Sequence, residues 1–195
     1  TSQLQFYYQY VAKATPSDKG IQVYGDAGNV VHKAIEKYID TQGEDFFDIY
    51  WKDYKIDEQE GILGDKLSKE NYRAMFELGK IAIQDMKQYC SNTHSELKIE
   101  LNLFGEKFKG FIDLFIPSSL KEDGIMEILD HKTTSNFKYA KTEEELKKNL
   151  QLIIYAKHIM EWIEGDEIRL THVSYLTKTP YKAIKRSVVV SRKHI

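Results

Sequence analysis

Two neighbouring apolar segments carry charged residues at positions where a buried strand normally has none. Asp113 lies in GFIDLFIP (residues 110–117), and Asp130 and Lys132 lie in EILDHKTT (residues 127–134). Alternate side chains of a strand point to the same face, so Asp130 and Lys132 are predicted to lie side by side. Removing a carboxylate and an ammonium from water is costly unless they pair or hold a metal. The two segments therefore favour a sheet whose core strands bring charged groups together at one site.

Length and composition restrict the class of protein. The chain has 195 residues, of which 42% are hydrophobic, and this suits one globular domain. No apolar run approaches the roughly 20 residues that a membrane span needs, and no signal-peptide pattern is visible, so we expect a cytoplasmic protein without membrane contact. Cys90 is the only cysteine, which excludes an intramolecular disulfide, a four-cysteine zinc site and a cysteine-ligated iron–sulfur cluster.

Basic residues are concentrated towards the C-terminus, although the formal net charge is only −2. Residues 1–130 contain 15 basic and 23 acidic side chains, whereas residues 131–195 contain 13 basic and 7 acidic side chains. A protein that cleaves phosphodiesters needs acidic metal ligands beside a basic surface that follows the backbone. The same distribution fits a solvated, lysine-rich tail, so charge alone leaves both interpretations open.

Three helices are predicted from apolar residues at helical spacing. The first begins with Asp26 as its N-cap, after the turn-rich segment at 15–20, and the second spans 68–89. A third, long helix begins at Thr142, whose hydroxyl forms a capping box with Glu145. The apolar positions of this third helix are Leu146, Leu150, Ile153, Ile154 and Trp162.

From residue 96 the apolar period changes to two residues, which predicts strands. Three neighbouring strands are expected at 96–104, 106–116 and 124–132, and two more follow the long helix at 167–177 and 181–190. This order predicts an α/β fold with a central mixed sheet of about five strands flanked by helices. We expect a single domain over residues 1–195, with a mainly helical part at 1–95 and the sheet with its helix at 96–195.

The side chains of Asp113, Asp130 and Lys132 are those that a hydrolytic metal site requires. Two carboxylates can hold Mg²⁺ or Mn²⁺, and the metal lowers the pKa of its bound water. The lysine would add positive charge beside the attacking water, and burial with the metal is expected to depress its pKa. Simpler interpretations are a solvent-facing strand position for Asp113 and a structural ion pair for Asp130 and Lys132.

Further motifs make the chain resemble the RecB-type nucleases of the PD-(D/E)xK superfamily. In that family a helix with G-x-x-x-H-x-x-x-E precedes a G-x-x-D strand, a D/E-x-K strand and a helix with Q-x-x-x-Y. The matching residues occur in the same order and are Gly28, His32, Glu36, Gly110, Asp113, Asp130, Lys132, Gln151 and Tyr155. CRISPR-associated members often hold an iron–sulfur cluster with four cysteines. With one cysteine, this chain is similar to the cluster-free members, such as those of phages and archaeal viruses.

The resemblance implies a restriction-endonuclease-like core and a role for each matching residue. Asp113 and Asp130 would be the main metal ligands, with the backbone carbonyl of His131 and the imidazole of His32 completing the coordination. Lys132 would position or activate the attacking water.

The remaining polar residues receive lesser roles. Gln151 and Tyr155, four residues apart, would reach the water, the lysine or the DNA backbone from one helix face. Glu36 is more readily a solvated carboxylate, or one that contacts a ligand residue, than a ligand itself. The side chain of His131 points away from Asp130 and is expected to be structural, whereas Glu96 and Glu100 are candidates for peripheral acids.

The expected function is a Mg²⁺- or Mn²⁺-dependent DNA nuclease. By resemblance it would act as an exonuclease on DNA ends or single strands, in recombination, repair or viral DNA processing. No helicase motif is present, so unwinding would require a helicase or recombination partner protein. Two alternatives stay open: a non-cleaving nucleic-acid-binding or assembly module with the same fold, and a metal enzyme acting on a non-nucleic phosphate ester. Near the N-terminus, four aromatic residues fit either base stacking or core packing: Phe6, Tyr7, Tyr8 and Tyr10.

Overall fold

Five strands form one mixed sheet and lie in it in the order in which they occur along the chain. The computed structural model describes residues 19–56, 58, 68–83, 94–103, 106–177 and 180–195. The strands are β1 (His94–Leu103), β2 (Glu106–Ile116), β3 (Met126–Thr134), β4 (Glu167–Leu176) and β5 (Ala183–Ser191). The β3–β4 pair is parallel and the other neighbouring pairs are antiparallel. The predicted α/β fold with a mixed, five-stranded sheet is confirmed.

Helices cover both faces of this sheet. They are α1 (Lys19–Asp40), α2 (Phe47–Asp53), α3 (Lys69–Ala82), α4 (Glu143–Lys147) and α5 (Leu150–Trp162). The first three helices share one hydrophobic cluster with the sheet, and α4 and α5 share a second cluster with its other face. Among the described helices, none has the length and apolar character that a membrane crossing requires.

The central strand β3 is apolar on both faces. Leu129 belongs to the cluster that contains Val30 of α1, whereas Ile128 belongs to the cluster that contains Leu152 of α5. Burial on both faces explains why two consecutive positions of β3, Ile128 and Leu129, are both apolar. The charged end of this strand therefore extends directly from the middle of the core.

β2 and β3 are paired over only part of their length, from the end of β2 to Leu114. Their ladder stops at the pair Leu114–Leu129, although β3 continues along β4 as far as Thr134. The preceding part of β2 remains paired with β1. The divergence leaves an opening between the two strands, and Asp113 is the first residue of β2 on the open side.

The first helix begins earlier than predicted. Asp26 is not its N-cap but lies in its interior, because the described part of α1 is already helical from Lys19. Val23 is buried in the same cluster as Ala27 and Val30, so packing carries the helix past the polar residue. The predicted helix at 68–89 is α3, which ends at Ala82 with Ile83 as its C-cap. Residues 84–89, Cys90 and the aromatic residues near the N-terminus lie outside the described ranges.

The long helix predicted from Thr142 is divided into α4 and α5. The capping box of Thr142 and Glu145 is present at the start of α4. The second helix starts because the Asn149 side chain accepts hydrogen bonds from the backbone N–H groups of Gln151 and Leu152. Trp162, expected on an apolar face, is 77% exposed instead.

Candidate active site

Asp113 is attached to β3 by a hydrogen bond to the backbone. Its Oδ2 accepts from the N–H of His131 at 2.8 Å. The β2–β3 ladder has ended at this level, so a carboxylate oxygen satisfies a donor that a strand carbonyl would otherwise satisfy. This contact brings Asp113 to the segment of β3 that carries Asp130.

Asp130 and Lys132 lie side by side, as the alternation of a strand predicts. Lys132 Nζ donates to Asp130 Oδ1 at 2.9 Å and lies 2.8 Å from Oδ2. The Asp130 side chain is only 6% exposed, whereas that of Lys132 is 45% exposed. No described residue gives Oδ2 a hydrogen bond of favourable geometry. This buried oxygen is therefore held by the ion-pair contact with Lys132, which a metal cation would replace.

His32 approaches the same opening from α1. Its Nδ1 lies 3.7 Å from Asp113 Oδ2. Burial lowers the pKa of His32 to about 4, and the charge of Lys132 acts in the same direction. His32 is therefore neutral at pH 7, which is the form of imidazole that binds metals. One turn earlier Gly28 faces the end of β3, where an added Cβ would make an ordinary contact of 3.8 Å with Thr133 Oγ1.

The two carboxylates disfavour each other's charge. Burial raises the pKa of Asp113 to about 7, and the charge of Asp130 adds to this effect. The His131 N–H and the Lys132 charge oppose it without cancelling it. A divalent cation between the carboxylates would remove the repulsion, and oxygen ligands of this kind suit Mg²⁺ and Mn²⁺.

The expected depression of the Lys132 pKa does not occur in the protein alone. Burial acts to lower this pKa, but the charge of Asp130 and its hydrogen bond outweigh burial and leave the pKa raised. Lys132 therefore remains an ammonium at neutral pH. In the described part of the chain, no three His, Cys, Asp or Glu side chains converge closely enough to bind an ion. The ammonium instead lies against both oxygens of Asp130.

Gln151 and Tyr155 are presented together by α5. Gln151 Nε2 donates to the Tyr155 hydroxyl at 3.2 Å. The Tyr155 ring covers Gly110, where an added Cβ would lie 2.7 Å from Cε1 and 2.8 Å from the hydroxyl oxygen. The glycine of the G-x-x-D motif is thus required by the close approach of this ring. Tyr155 also contributes to the raised pKa of Lys132, so the Tyr155 hydroxyl lies near this lysine and its partner Asp130.

Comparison with known proteins identifies the family. The sequence matches the model of the PD-(D/E)XK nuclease superfamily over residues 1–183. The chain belongs to the PD-(D/E)XK nuclease superfamily. Members of this superfamily generally use divalent metal ions, typically Mg²⁺ or Mn²⁺, and their substrates are nucleic acids.

One solved structure has a similar fold. A protein from Eubacterium rectale, described as a putative exonuclease, superposes on this chain with a TM-score of 0.50 and is 14% identical in sequence. The superposition covers 96% of this chain and 65% of the Eubacterium rectale protein. The structure of SSO0001 has a TM-score of 0.33 at 14% identity, covering 81% of this chain and 65% of its own, which is too low to support a conclusion. This chain thus spans about 65% of the length of each of these proteins. No curated protein matches the sequence significantly.

In this PD-(D/E)XK chain the His131 side chain belongs to the core. Its Nδ1 is 2.6 Å from the hydroxyl of Tyr175, and the two rings stack. The ring is 2% exposed and lies on the side of β3 that faces α1, opposite to Asp130. This agrees with the structural role expected for the side chain. It leaves the backbone carbonyl as the oxygen that His131 would offer a metal.

The three further acidic residues, Glu36, Glu96 and Glu100, occupy different surroundings. Glu96 lines a cavity of about 20 Å³ together with His32, Glu36 and Asp113, which is room for roughly one water. Glu96 and Asp113 lie opposite each other on β1 and β2 but are not paired in the β1–β2 ladder, which is interrupted at this position. Glu96 has a left-handed backbone conformation there, with a φ of 45°. Burial raises the pKa of Glu36 to about 7, with the charge of Glu96 adding to it. Glu100 instead pairs with a surface lysine, Lys98, at 2.7 Å.

One residue beside the acidic pair was missed in the sequence. His172 is paired with Asp130 in the parallel β3–β4 register, and its Nε2 lies 3.4 Å from Asp130 Oδ2. Burial lowers the pKa of His172, and the charge of Asp130 opposes this without reversing it. The only available signal was a histidine within the predicted strand EIRLTHVSYLT, among several other polar residues. Recognising it required knowing that β4 lies next to β3.

Proposed function

We propose that this chain is a metal-dependent DNA nuclease that hydrolyses phosphodiester bonds as an exonuclease on DNA ends or single strands. The supporting observation is the meeting of Asp113, Asp130 and Lys132 at the point where β2 and β3 diverge. A charged cluster that ends a core strand is costly to the fold. It is explained if the cluster binds an ion and a phosphate.

Asp113 and Asp130 would hold the metal, with His32 and the His131 carbonyl as further ligands. The repulsion between the carboxylates, the buried Asp130 Oδ2 without a hydrogen bond and the neutral His32 all fit a divalent cation. When bound, Mg²⁺ or Mn²⁺ would stabilise charge on the scissile phosphate and lower the pKa of a water. Binding would require Lys132 to move away from Asp130, since its ammonium now lies against both oxygens.

Lys132 would orient the attacking water and stabilise the developing charge. In the metal-free chain the charge and hydrogen bond of Asp130 outweigh burial and raise the pKa of Lys132, so its amine is protonated at neutral pH. The half-exposed side chain can turn from Asp130 towards a phosphate, since its head group is accessible to solvent. Its proposed contribution is electrostatic, as a positive charge beside the phosphate.

Gln151 and Tyr155 would position the DNA backbone. The Tyr155 hydroxyl accepts a hydrogen bond from Gln151, so its own proton is left to donate to a phosphate oxygen. The packing of the ring on Gly110 fixes the position of this donor relative to β2. Both side chains would act on substrate geometry rather than on the metal.

We further propose that the nuclease is of the RecB type and acts in recombination, repair or phage DNA processing inside the cell. The support is the ordered set of motifs from His32 to Tyr155. A helicase or recombination protein would supply unwinding. A single nuclease domain over residues 1–195, with a mainly helical part at 1–95, is part of the same proposal.

Digestion of linear and circular DNA tests the proposal. Single- and double-stranded forms are incubated with Mg²⁺, with Mn²⁺ or with a chelator, using wild type, Asp130→Asn and the surface control Asp123→Asn. We expect metal-dependent loss of linear DNA by wild type and the control, and none by Asp130→Asn. DNA binding without cleavage by wild type would contradict the proposal and favour a non-cleaving module. Full activity of Asp130→Asn would show that the site has been assigned wrongly.

A further inference from the structure

The helix face that carries Gln151 and Tyr155 continues into an exposed aromatic pair. His158 and Trp162 follow Tyr155 by three and seven residues, so all four side chains share one face of α5. The His158 and Trp162 rings lie 5.6 Å apart between centroids. Trp162 is 77% exposed, whereas Trp51, the second tryptophan of the chain, is 1% exposed.

A groove runs along this face, between α5 and β1. It has a volume of about 650 Å³, and its apolar lining includes Leu97, Ile99 and Phe115 of the sheet as well as Trp162. β1 is the edge strand of the described sheet on this side. The groove is therefore largely apolar, and it adjoins the α5 face that carries His158 and Trp162.

The charged residues around the groove balance each other. Lys98 and Glu100 line the groove itself, and Lys157 and Glu161 line the adjoining depression of about 370 Å³. Lys98 and Glu100 pair at 2.7 Å. The residues that line the two depressions therefore carry no excess of positive charge to attract phosphates. Any nucleic acid that binds here would be held by its bases.

We propose that His158 and Trp162 form a stacking platform for a base of single-stranded nucleic acid whose backbone passes the Asp113–Asp130 site. The inference rests on the proposed nuclease function and specifies its substrate as a single strand. An exposed indole offers a flat apolar face, and stacking of a base on an aromatic side chain contributes about 1–3 kcal/mol irrespective of base identity. In a duplex, bases are stacked on one another and do not present that face.

The spacing along α5 sets the position of the platform. Seven residues separate Tyr155 from Trp162, which corresponds to about 10 Å at ~1.5 Å per residue. Consecutive nucleotides of a stacked strand are about 3.4 Å apart, so the platform would meet a base about three nucleotides from the phosphate near Tyr155. This length lets one strand contact both sites.

Tryptophan fluorescence tests the platform directly, because Trp162 is the accessible one of two tryptophans. Oligothymidylate is titrated into the protein in a chelator, so that no cleavage occurs. We expect saturable quenching in wild type. In Trp162→Phe quenching should disappear while affinity, measured with a labelled oligonucleotide, is largely kept. In Trp162→Ala affinity should fall about tenfold.

A matched control is Leu150→Ala, since Leu150 is 71% exposed on the same helix but lies off this face. It should bind oligothymidylate like wild type. Because the groove has balanced charge, the loss in Trp162→Ala should be the same factor at about 50 mM and about 200 mM salt. Thermal unfolding of each variant shows whether the fold is retained.

The outcomes separate this inference from the proposed function. If wild type cleaves DNA but shows no quenching, and Trp162→Ala keeps the wild-type affinity and KM for single strands, the platform is wrong and the nuclease stands. The groove would then belong to another partner, such as a protein. If no DNA is cleaved but quenching and its loss in Trp162→Phe are seen, the platform stands and the proposed nuclease fails.

Discussion

The carboxylate of Asp113 accepts a hydrogen bond from the backbone N–H of His131, at 2.8 Å, where the β2–β3 ladder has ended. A side chain on one strand thus completes the hydrogen bonding of the next strand. The same contact sets the separation of Asp113 from Asp130, which is the residue before His131. The position of the first candidate ligand is therefore fixed by the backbone of the strand that carries the second.

Asp113→Asn should stabilise the metal-free protein at neutral and alkaline pH. Burial raises the pKa of Asp113 from 3.8 to about 7, so the folded state holds a proton that the unfolded state releases. The free energy of unfolding of the wild type therefore decreases as the pH rises from 3.8, the pKa of Asp113 in the unfolded state, towards 7. In the variant, the amide oxygen of Asn can still accept the hydrogen bond from the His131 N–H, and it carries no charge. We expect an advantage of the variant on the order of 2 kcal/mol above pH 7.

Denaturant unfolding in a chelator measures this advantage across the pH range. It should grow as the pH rises and reach a plateau above about pH 7. Asp123→Asn is the control, because Asp123 pairs with Arg169 at the surface. An advantage that is constant at all pH values would mean that the Asp113 charge is not its source.

Metal affinity should fall as the pH falls below 7. A proton and the metal compete for the Asp113 carboxylate, whose pKa is raised to about 7 by burial and by Asp130. The apparent affinity for Mn²⁺ should drop up to about tenfold per pH unit below that value. Calorimetric titration of Mn²⁺ at several pH values checks this, and equal affinity at pH 6 and pH 8 would contradict it.

Lys132→Ala should separate metal binding from catalysis. The ammonium now lies against Asp130, so its removal should leave metal affinity equal to that of wild type or higher. Cleavage should fall by about 10²–10³ because a charge beside the reacting phosphate is lost. Lys138→Ala, on the turn after β3, is the matched surface control. If the metal no longer binds to Lys132→Ala, the lysine supports the ligands rather than the reaction.

Gly110→Ala should act through Tyr155. An added Cβ would lie 2.7 Å from the Tyr155 ring and would displace its hydroxyl. We expect cleavage to fall roughly tenfold or more, since misplacing a positioning group by about 1 Å is enough for such a loss. The test is a double-mutant cycle on the cleavage rate. In a Tyr155→Ala background the change at Gly110 should have little further effect; equal losses in both backgrounds would show that the two residues act independently.

The strands and their charged residues could be predicted because their signals are local. EILDHK shows both a core strand and the place where it becomes polar, and G-x-x-D shows the partner strand. The break before α5 was hidden, because Asn149 lies within a run that has helical spacing on both sides. The start of α1 was misplaced for a related reason: Asp26 is a good cap, but burial of Val23 extends the helix past it.

The surroundings of the candidate site could not be predicted because they depend on the tertiary fold. His172 lies beside Asp130 only because β4 is the parallel neighbour of β3. The sequence likewise gives no sign that β2 and β3 separate at Leu114. The raised pKa of Lys132 in the metal-free chain also depends on the fold, because the charge and hydrogen bond of Asp130 outweigh burial there.

The place of β3 in the middle of the sheet has a consequence for how the protein loses activity. Central strands that are buried on both faces are the last segments to open, so their amides exchange only through global unfolding. Asp130 and His131 lie on such a strand, between β2 and β4. The strand that carries Asp130 should therefore survive partial opening of the sheet edges, and activity should be lost no later than the cooperative melting of the whole sheet.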